Sequence, residues 1–178
     1  LDGALSGNTV NLDVIQTIVS KYDLQVEVGG GVRSIENIQN LLQAGADKVS
    51  INSAAIKDPN IIKSSSKYFG SQCIVVAVDV KKKSDSWKVH SHGGTKNTNI
   101  DALDWLKKVQ DLGAGEILLT SMDKDGTKSG FDLEILSRAN ELLSIPVIAS
   151  GGVGSIEHFY EGVKIGKADA LLAASVFH

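Results

Sequence analysis

Residues 26–53 read VEVGGGVRSIENIQNLLQAGADKVSINS, and residues 147–175 read VIASGGVGSIEHFYEGVKIGKADALLAAS, the same pattern again with one residue inserted at Lys167. A constant shift of 121 residues carries Gly30 onto Gly151, Ile35 onto Ile156 and Glu36 onto Glu157. The shift reaches upstream as well, from Asp2 to Asp123 and from NLDVI at 11–15 to DLEIL at 132–136. Solenoid units run to roughly 20–50 residues. A period this long marks one half of a domain copied onto the other.

Around the two copies, short β-rich apolar runs alternate with amphipathic stretches of about a dozen residues, the pattern of successive β–α units on a parallel sheet. The spacing predicts strands over 25–28, 48–51, 73–79, 116–121, 146–149 and 170–172, and helices over 12–21, 34–44, 60–69, 100–112, 133–142 and 155–165. Ser34, with Asn37 three residues on, and Ser155, with His158, stand at N-cap positions, while Gly45, Gly113 and Gly166 follow helices as C-caps. Nearly continuous hydrophobic strands leave two architectures, an open doubly wound sheet or a closed barrel. The duplication, with about four β–α units per half, selects an α/β (β/α)8 barrel with a twofold internal repeat. An open dinucleotide-binding sheet would begin with GxGxxG, which this chain lacks. The repeat partner of Asp79 would precede residue 1, so the 178 residues are expected to form one barrel domain without strand 1, helix 1, most of strand 2 and the last helix. A complete barrel has about 250 residues, and a piece of one is expected to be inactive alone.

The bulk numbers narrow the function further. A net charge of −3 and a pI near 5.8 give no basic footprint for nucleic acid. No apolar run approaches the roughly 20 residues that span a bilayer. Cys73 is alone, so no internal disulfide forms, and its apolar setting marks a core thiol. The cytoplasm is the expected compartment.

Gly29-Gly30-Gly31 leaves a strand and enters a helix, which lets bare backbone N–H groups approach an anion attracted to the helix N-terminus. Ser150-Gly151-Gly152 repeats the arrangement, and each cluster is followed by a small polar strand end, Asn52-Ser53 and Ala174-Ser175. A lone glycine pair is a tight turn. Found twice and matched with hydroxyls in neighbouring loops, Gly30, Gly31, Asn52, Ser53, Ser150, Gly151, Gly152, Ala174 and Ser175 are expected to bind a small ligand with a phosphate at each end. The competing reading leaves one copy empty.

Asp79 closes the run CIVVAVD at the strand rim where barrel enzymes place catalytic groups. Asp123 holds the same place in LLTSMDKDGTKSG, before a turn-rich loop suited to closing on substrate. Both carboxylates are candidate acid–base groups, against the alternative of capping or loop-ordering aspartates. His90 and His92 alternate onto one face of an excursion between 81 and 95, yet no third ligand accompanies them, so a solvated hairpin is expected and no metal or other cofactor. Lys81-Lys82-Lys83 reads as wet surface, placed where it would also attract an anion.

The segments GADKVSINSAA (45–55), GAGEILLTSMDKDGTKSGFD (113–132), PVIASGGVGSIEHF (146–159) and AASVFH (173–178) resemble the cyclase subunit of imidazole glycerol phosphate synthase from histidine biosynthesis. The resemblance implies a duplicated barrel acting on a ribulosyl aminoimidazole carboxamide nucleotide with two phosphates. A glutaminase partner supplies ammonia, the substrate is cleaved and the imidazole ring closes, with aspartates at the ends of strands one and five as acid–base groups. Asp79 matches the strand-five residue. Asp123, Gly31, Asn52, Ser53, Ser150, Gly152, Ala174 and Ser175 match positions around the phosphates. Lys48 and Glu116 match charged residues gating ammonia entry at the bottom of the barrel, and Ser50 matches one lining its path; on the sequence alone a structural salt bridge explains the two charges equally well. The stretches LDGALSGNTVN and VEVGGGVR are closer to the sister barrel, an isomerase one step earlier in the pathway. Glu27 in particular stands where the cyclase has a smaller residue. An aldose–ketose isomerase and a cyclase paralogue of another pathway are the alternative readings.

Overall fold

The computed structural model describes residues 11–174 and residue 176. Its elements follow in the order α1 (Leu12–Lys21), β1 (Glu27–Gly29), α2 (Ile35–Gln43), β2 (Lys48–Ile51), α3 (Ser53–Lys57), α4 (Asn60–Phe69), a 3-10 turn (Ser71–Cys73), β3 (Ile74–Lys83), β4 (Ser86–Ser91), β5 (Lys96–Asp101), α5 (Ala102–Asp111), β6 (Glu116–Ser121), α6 (Leu133–Leu142), β7 (Val147–Ser150), α7 (Ile156–Lys164) and β8 (Ala170–Leu171). Six strands pair in the order β1-β2-β3-β6-β7-β8, and every one of those pairings is parallel. The remaining two, β4 and β5, form an antiparallel hairpin on the edge of β3.

Lys48 on β2 and Glu116 on β6, on either side of β3, meet on one face of the sheet, with Lys48 Nζ 2.6 Å from Glu116 Oε2. The parallel strands form a curled half-barrel, and the architecture is that of an incomplete (β/α)8 barrel, as the repeat predicts. Packing follows from the strand sequences. Ile74, Val76, Val78 and Val80 of β3 are fully buried beneath helices whose apolar stripes supply Ile62, Leu106, Val109, Ile135 and Ala139. Burying such side chains contributes about 1.5–3 kcal/mol each against chain entropy.

Each copy of the repeat starts its strand pair with the same clamp. Asp47 donates its N–H to the Val26 carbonyl and accepts the Val26 N–H on Oδ2 at 2.8 Å. Asp169 does the same with Val147, at 2.9 Å for the side-chain bond. Both clamps set a register that brings the next strand in alongside.

Several sequence expectations shift in detail. The strand beginning near 73 runs on to Lys83, because β4 arrives to pair with its far half. The helix expected from 100 begins at Ala102, since residues 96–101 are β5 and Asp101 caps the helix by accepting the Leu103 N–H at 3.1 Å. Cys73 sits at the end of the 3-10 turn, half-buried against the core rather than inside a strand. Ser34 caps α2 by accepting the Asn37 N–H at 3.2 Å, whereas Ser155 makes no cap bond and engages Glu157 instead. Gly45 and Gly113 end their helices with φ of +107° and +100°, but at the third helix end the left-handed residue is the inserted Lys167, at φ +59°, and not Gly166.

Candidate functional site

Parallel β–α order places the C-terminal ends of the six parallel strands on one rim, and Asp79 stands on that rim at the middle of the sheet. Its carboxylate accepts a hydrogen bond from Asn52 Nδ2 at 2.9 Å, across the β2–β3 boundary. Half-buried as it is, Asp79 has its pKa raised above the ordinary 3.8, chiefly by burial; the Asn52 hydrogen bond opposes this, the nearby Asp125 carboxylate adds to it, and His90 opposes it. A carboxyl with strengthened proton affinity on a barrel rim is suited to take and return a proton. Asn52 Oδ1 is buried without a partner beside it, an acceptor waiting for a donor.

The structure divides the residues singled out from the sequence. Asp123 is exposed, and its carboxylate accepts the Lys82 backbone N–H at 2.7 Å, tying the loop after β6 to the extension of β3. The carboxylate acting on Asp79 is Asp125, two residues on, which sequence reasoning passed over; the repeated acidic residue in Asp123-Lys124-Asp125-Gly126 was the available signal. Asn52, expected among the phosphate residues, reaches Asp79 instead. Asp2 and Ser175 lie outside the described residues.

Both glycine turns take the geometry that only glycine adopts freely: Gly30 and Gly31 have φ of +100° and +70°, and Gly151 and Gly152 have +90° and +102°. In the second copy, Ser150, Gly151, Gly152 and Ala174 line one small pocket with Asp125 and Lys128, so loop β6–α6 closes over this turn. A Cβ on Gly152 would stand 2.2 Å from the Gly130 carbonyl oxygen. In the first copy, Ser53 Oγ accepts the His92 N–H at 3.0 Å, which leaves the hydroxyl hydrogen able to donate outward.

His90 and His92 do not share a face. His90 is on β4 and 8% exposed, while His92 lies beyond the strand at φ +56° with an exposed side chain. The hairpin is present as expected, but β4 is largely buried rather than solvated: Trp87 is 1% exposed and donates its Nε1–H to Asp132 Oδ2 at 3.0 Å. Of the three consecutive lysines, all exposed, Lys82 is held by Glu134 at 2.7 Å and lies over the Trp87 ring. Among the described residues no group of three His, Cys, Asp or Glu side chains could hold a metal, and no helix is long and apolar enough to cross a membrane.

At the opposite rim the charged pair Lys48–Glu116 forms, with side chains 32% and 15% exposed. Glu27 lies beside Lys48 in register. Crowding at the strand starts raises the Glu27 pKa above 4.5, first through desolvation and then through Glu116, against the lowering effects of Lys48 and a Ser50 hydrogen bond. Ser50 is buried on the same strand.

A parallel β/α curl with a half-buried carboxyl on its C-terminal rim and glycine turns after two strands on either side of it, β1 and β7, has the layout of a β/α barrel. The histidine biosynthesis protein family model matches residues 1–178, and the chain belongs to that family, which the pathway's isomerase and cyclase barrels share.

Proposed function

We propose that this chain is the cyclase of imidazole glycerol phosphate synthase, taking ammonia from a glutaminase partner and converting a bisphosphorylated ribulosyl aminoimidazole carboxamide nucleotide into imidazole glycerol phosphate and an aminoimidazole carboxamide ribotide. The observation that carries this reading is the pairing of Asp79, a carboxyl of raised proton affinity, with Asn52 on the rim between the two glycine turns. Cleavage and ring closure both need a proton moved at a fixed place, and Asp79 supplies one there. Gly30, Gly31, Asn52 and Ser53 would hold one phosphate, and Ser150, Gly151, Gly152, Ala174 and Ser175 the other. Asp123, through the Lys82 backbone, would order the loop that closes over the substrate. Lys48 and Glu116, with Ser50 behind them, would admit ammonia from the other rim.

The second reading is the sister isomerase, which needs neither ammonia nor partner. Glu27 favours it: a third carboxyl-bearing or basic side chain beside Lys48 and Glu116 narrows the entrance on which the cyclase depends. Turnover of the bisphosphate with ammonium salts separates the two. Imidazole product from the full-length protein supports the cyclase, and its absence alongside aldose–ketose isomerisation supports the other.

Asp79→Asn keeps an acceptor for the Asn52 amide and removes the titratable proton. Turnover should fall by orders of magnitude with substrate affinity largely kept, as expected of a group acting in the transition state. Stability should move the other way. Because the folded protein binds the Asp79 proton more tightly than the unfolded chain, stability falls as pH rises from the ordinary value of 3.8 through the raised one, and the penalty is complete above it. Calorimetry should therefore show the variant melting higher than wild type at pH 7, at about 2–4 °C for each kcal/mol relieved, with the difference vanishing in acid. A lower melting temperature at pH 7 and loss of binding would make Asp79 a structural residue.

A further inference from the structure

His90 faces Asp79 across the β3–β4 ladder. The two are registered partners in an antiparallel pair, so their side chains share one face with Cβ atoms about 4.5–5.5 Å apart. The hairpin is bent at this point. On β4 and β5, Lys88 pairs with Asp101 but His90 pairs with Asn97, so β5 spends two extra residues, Asn99 among them at φ +60°. Such irregularities re-aim side chains beside active sites. The ring is also fixed in orientation: His90 Nδ1 lies 3.0 Å from the Lys88 carbonyl oxygen, which can only accept, so Nδ1 carries a proton in that bond. Nε2 is left outside that bond. His90 is 8% exposed, so solvent does little to screen what its ring carries.

We infer that His90 is a positioning residue for Asp79, an imidazole locked across from the carboxyl that stabilises its ionised form and so returns it to the basic state. Two other groups act on the same carboxyl and a third stands beside it. Asn52 from the end of β2 donates to it, Asp125 from the loop after β6 repels it, and Thr120 stands in register with it on β6. Among these, His90 works against Asp125. The pKa of Asp79 is lowered by His90, in keeping with this geometry. The inference deepens the proposed reaction, in which Asp79 is the acid–base group.

Carboxyl carbon-13 resonances of the full-length protein, with Asp79→Asn identifying the relevant signal, report the Asp79 titration whether or not any substrate turns over. In His90→Phe and His90→Gln the midpoint should rise, since a group that lowers the Asp79 pKa is removed. Glutamine keeps a polar side chain of similar size, so it carries the test if phenylalanine disturbs folding. A midpoint unchanged in the glutamine variant overturns the inference. In the cyclase assay the acidic limb of kcat/KM should move upward by the same interval with KM unchanged, and a uniform loss at every pH would overturn it in favour of simple packing. If wild type makes no imidazole product, the proposed reaction fails, while the carbon-13 titration still decides the role of His90.

Discussion

In the first copy of the repeat Asn37 Oδ1 accepts the Arg33 N–H at 3.1 Å, and in the second His158 Nδ1 accepts the Gly154 N–H at 3.0 Å, at positions related by the same 121-residue shift. The Asp47 and Asp169 clamps correspond too, 122 residues apart because of the insertion at Lys167. Backbone geometry at the two glycine turns is thus built twice by equivalent bonds, even where one uses an amide and the other an imidazole. What the strands present inward differs. Glu27, Lys48 and Ser50 of the first copy correspond to Ile148, Ala170 and Leu172 of the second. Duplication kept the rim where the phosphates would sit on both sides and left polar residues on the path from the opposite rim on one side. An asymmetry of that kind fits a substrate that is symmetric at its ends and a second reactant that enters from one direction.

The sharpest way to break the comparison is at the glycine turns. Gly31→Ala should cost about 1 kcal/mol, the penalty of a left-handed alanine. Gly152→Ala should cost about 3 kcal/mol, since strain at φ +102° is joined by a Cβ driven to 2.2 Å from the Gly130 oxygen. Urea denaturation of both variants measures the difference. Equal losses would mean that loop β6–α6 packs on the second turn less tightly than a 2.2 Å approach requires.

A smaller effect belongs to the polar path. Lys48→Met leaves Glu116 beside Glu27 without its cation, and because the pair is only partly buried the expected cost is about 1–2 kcal/mol, below that of a fully buried pair. The double variant Lys48→Met/Glu116→Met should regain most of it. Failure to regain would show that Lys48 contributes by packing, and the copies would then differ less in electrostatics than their sequences suggest.

These comparisons also show what could be read before any fold was known. The curl was legible because hydrophobic period and a long internal shift are properties of many residues at once, so small errors at strand ends do not disturb them. The place of Asp79 on the rim was legible for the same reason, from a carboxylate closing an unbroken apolar strand. The hairpin was not, since β4 owes its burial to Trp87 and to the partner Asp132, which lies 45 residues away in the chain. Asp123 and Asp125 differ by two positions in a turn-rich loop, and local sequence carries no information on which of them faces Asp79. That choice is made by the Lys82 N–H, on a strand extension that exists only because β4 pairs with it.

The least change that tests the repeat is at its single insertion. Gly45 and Lys167 end equivalent helices, and both are left-handed, at φ +107° and +59°. Lysine is poorly suited to that region, and its Nζ–Glu141 bridge at 2.9 Å, between side chains 54% and 64% exposed, offsets little of the strain. Lys167→Gly should therefore stabilise the protein by about 0.5 kcal/mol, the relief of strain exceeding the extra freedom given to the unfolded chain. The reciprocal Gly45→Lys should destabilise it, because φ +107° is further from the left-handed minimum and a Cβ there meets Val19 Cγ1 at 3.1 Å. Thermal melts of the two variants read both signs. If Lys167→Gly lowers the melting temperature, the inserted residue is held by more than a surface ion pair, and the second copy has replaced the glycine helix end of the first with a different device rather than a strained version of the same one.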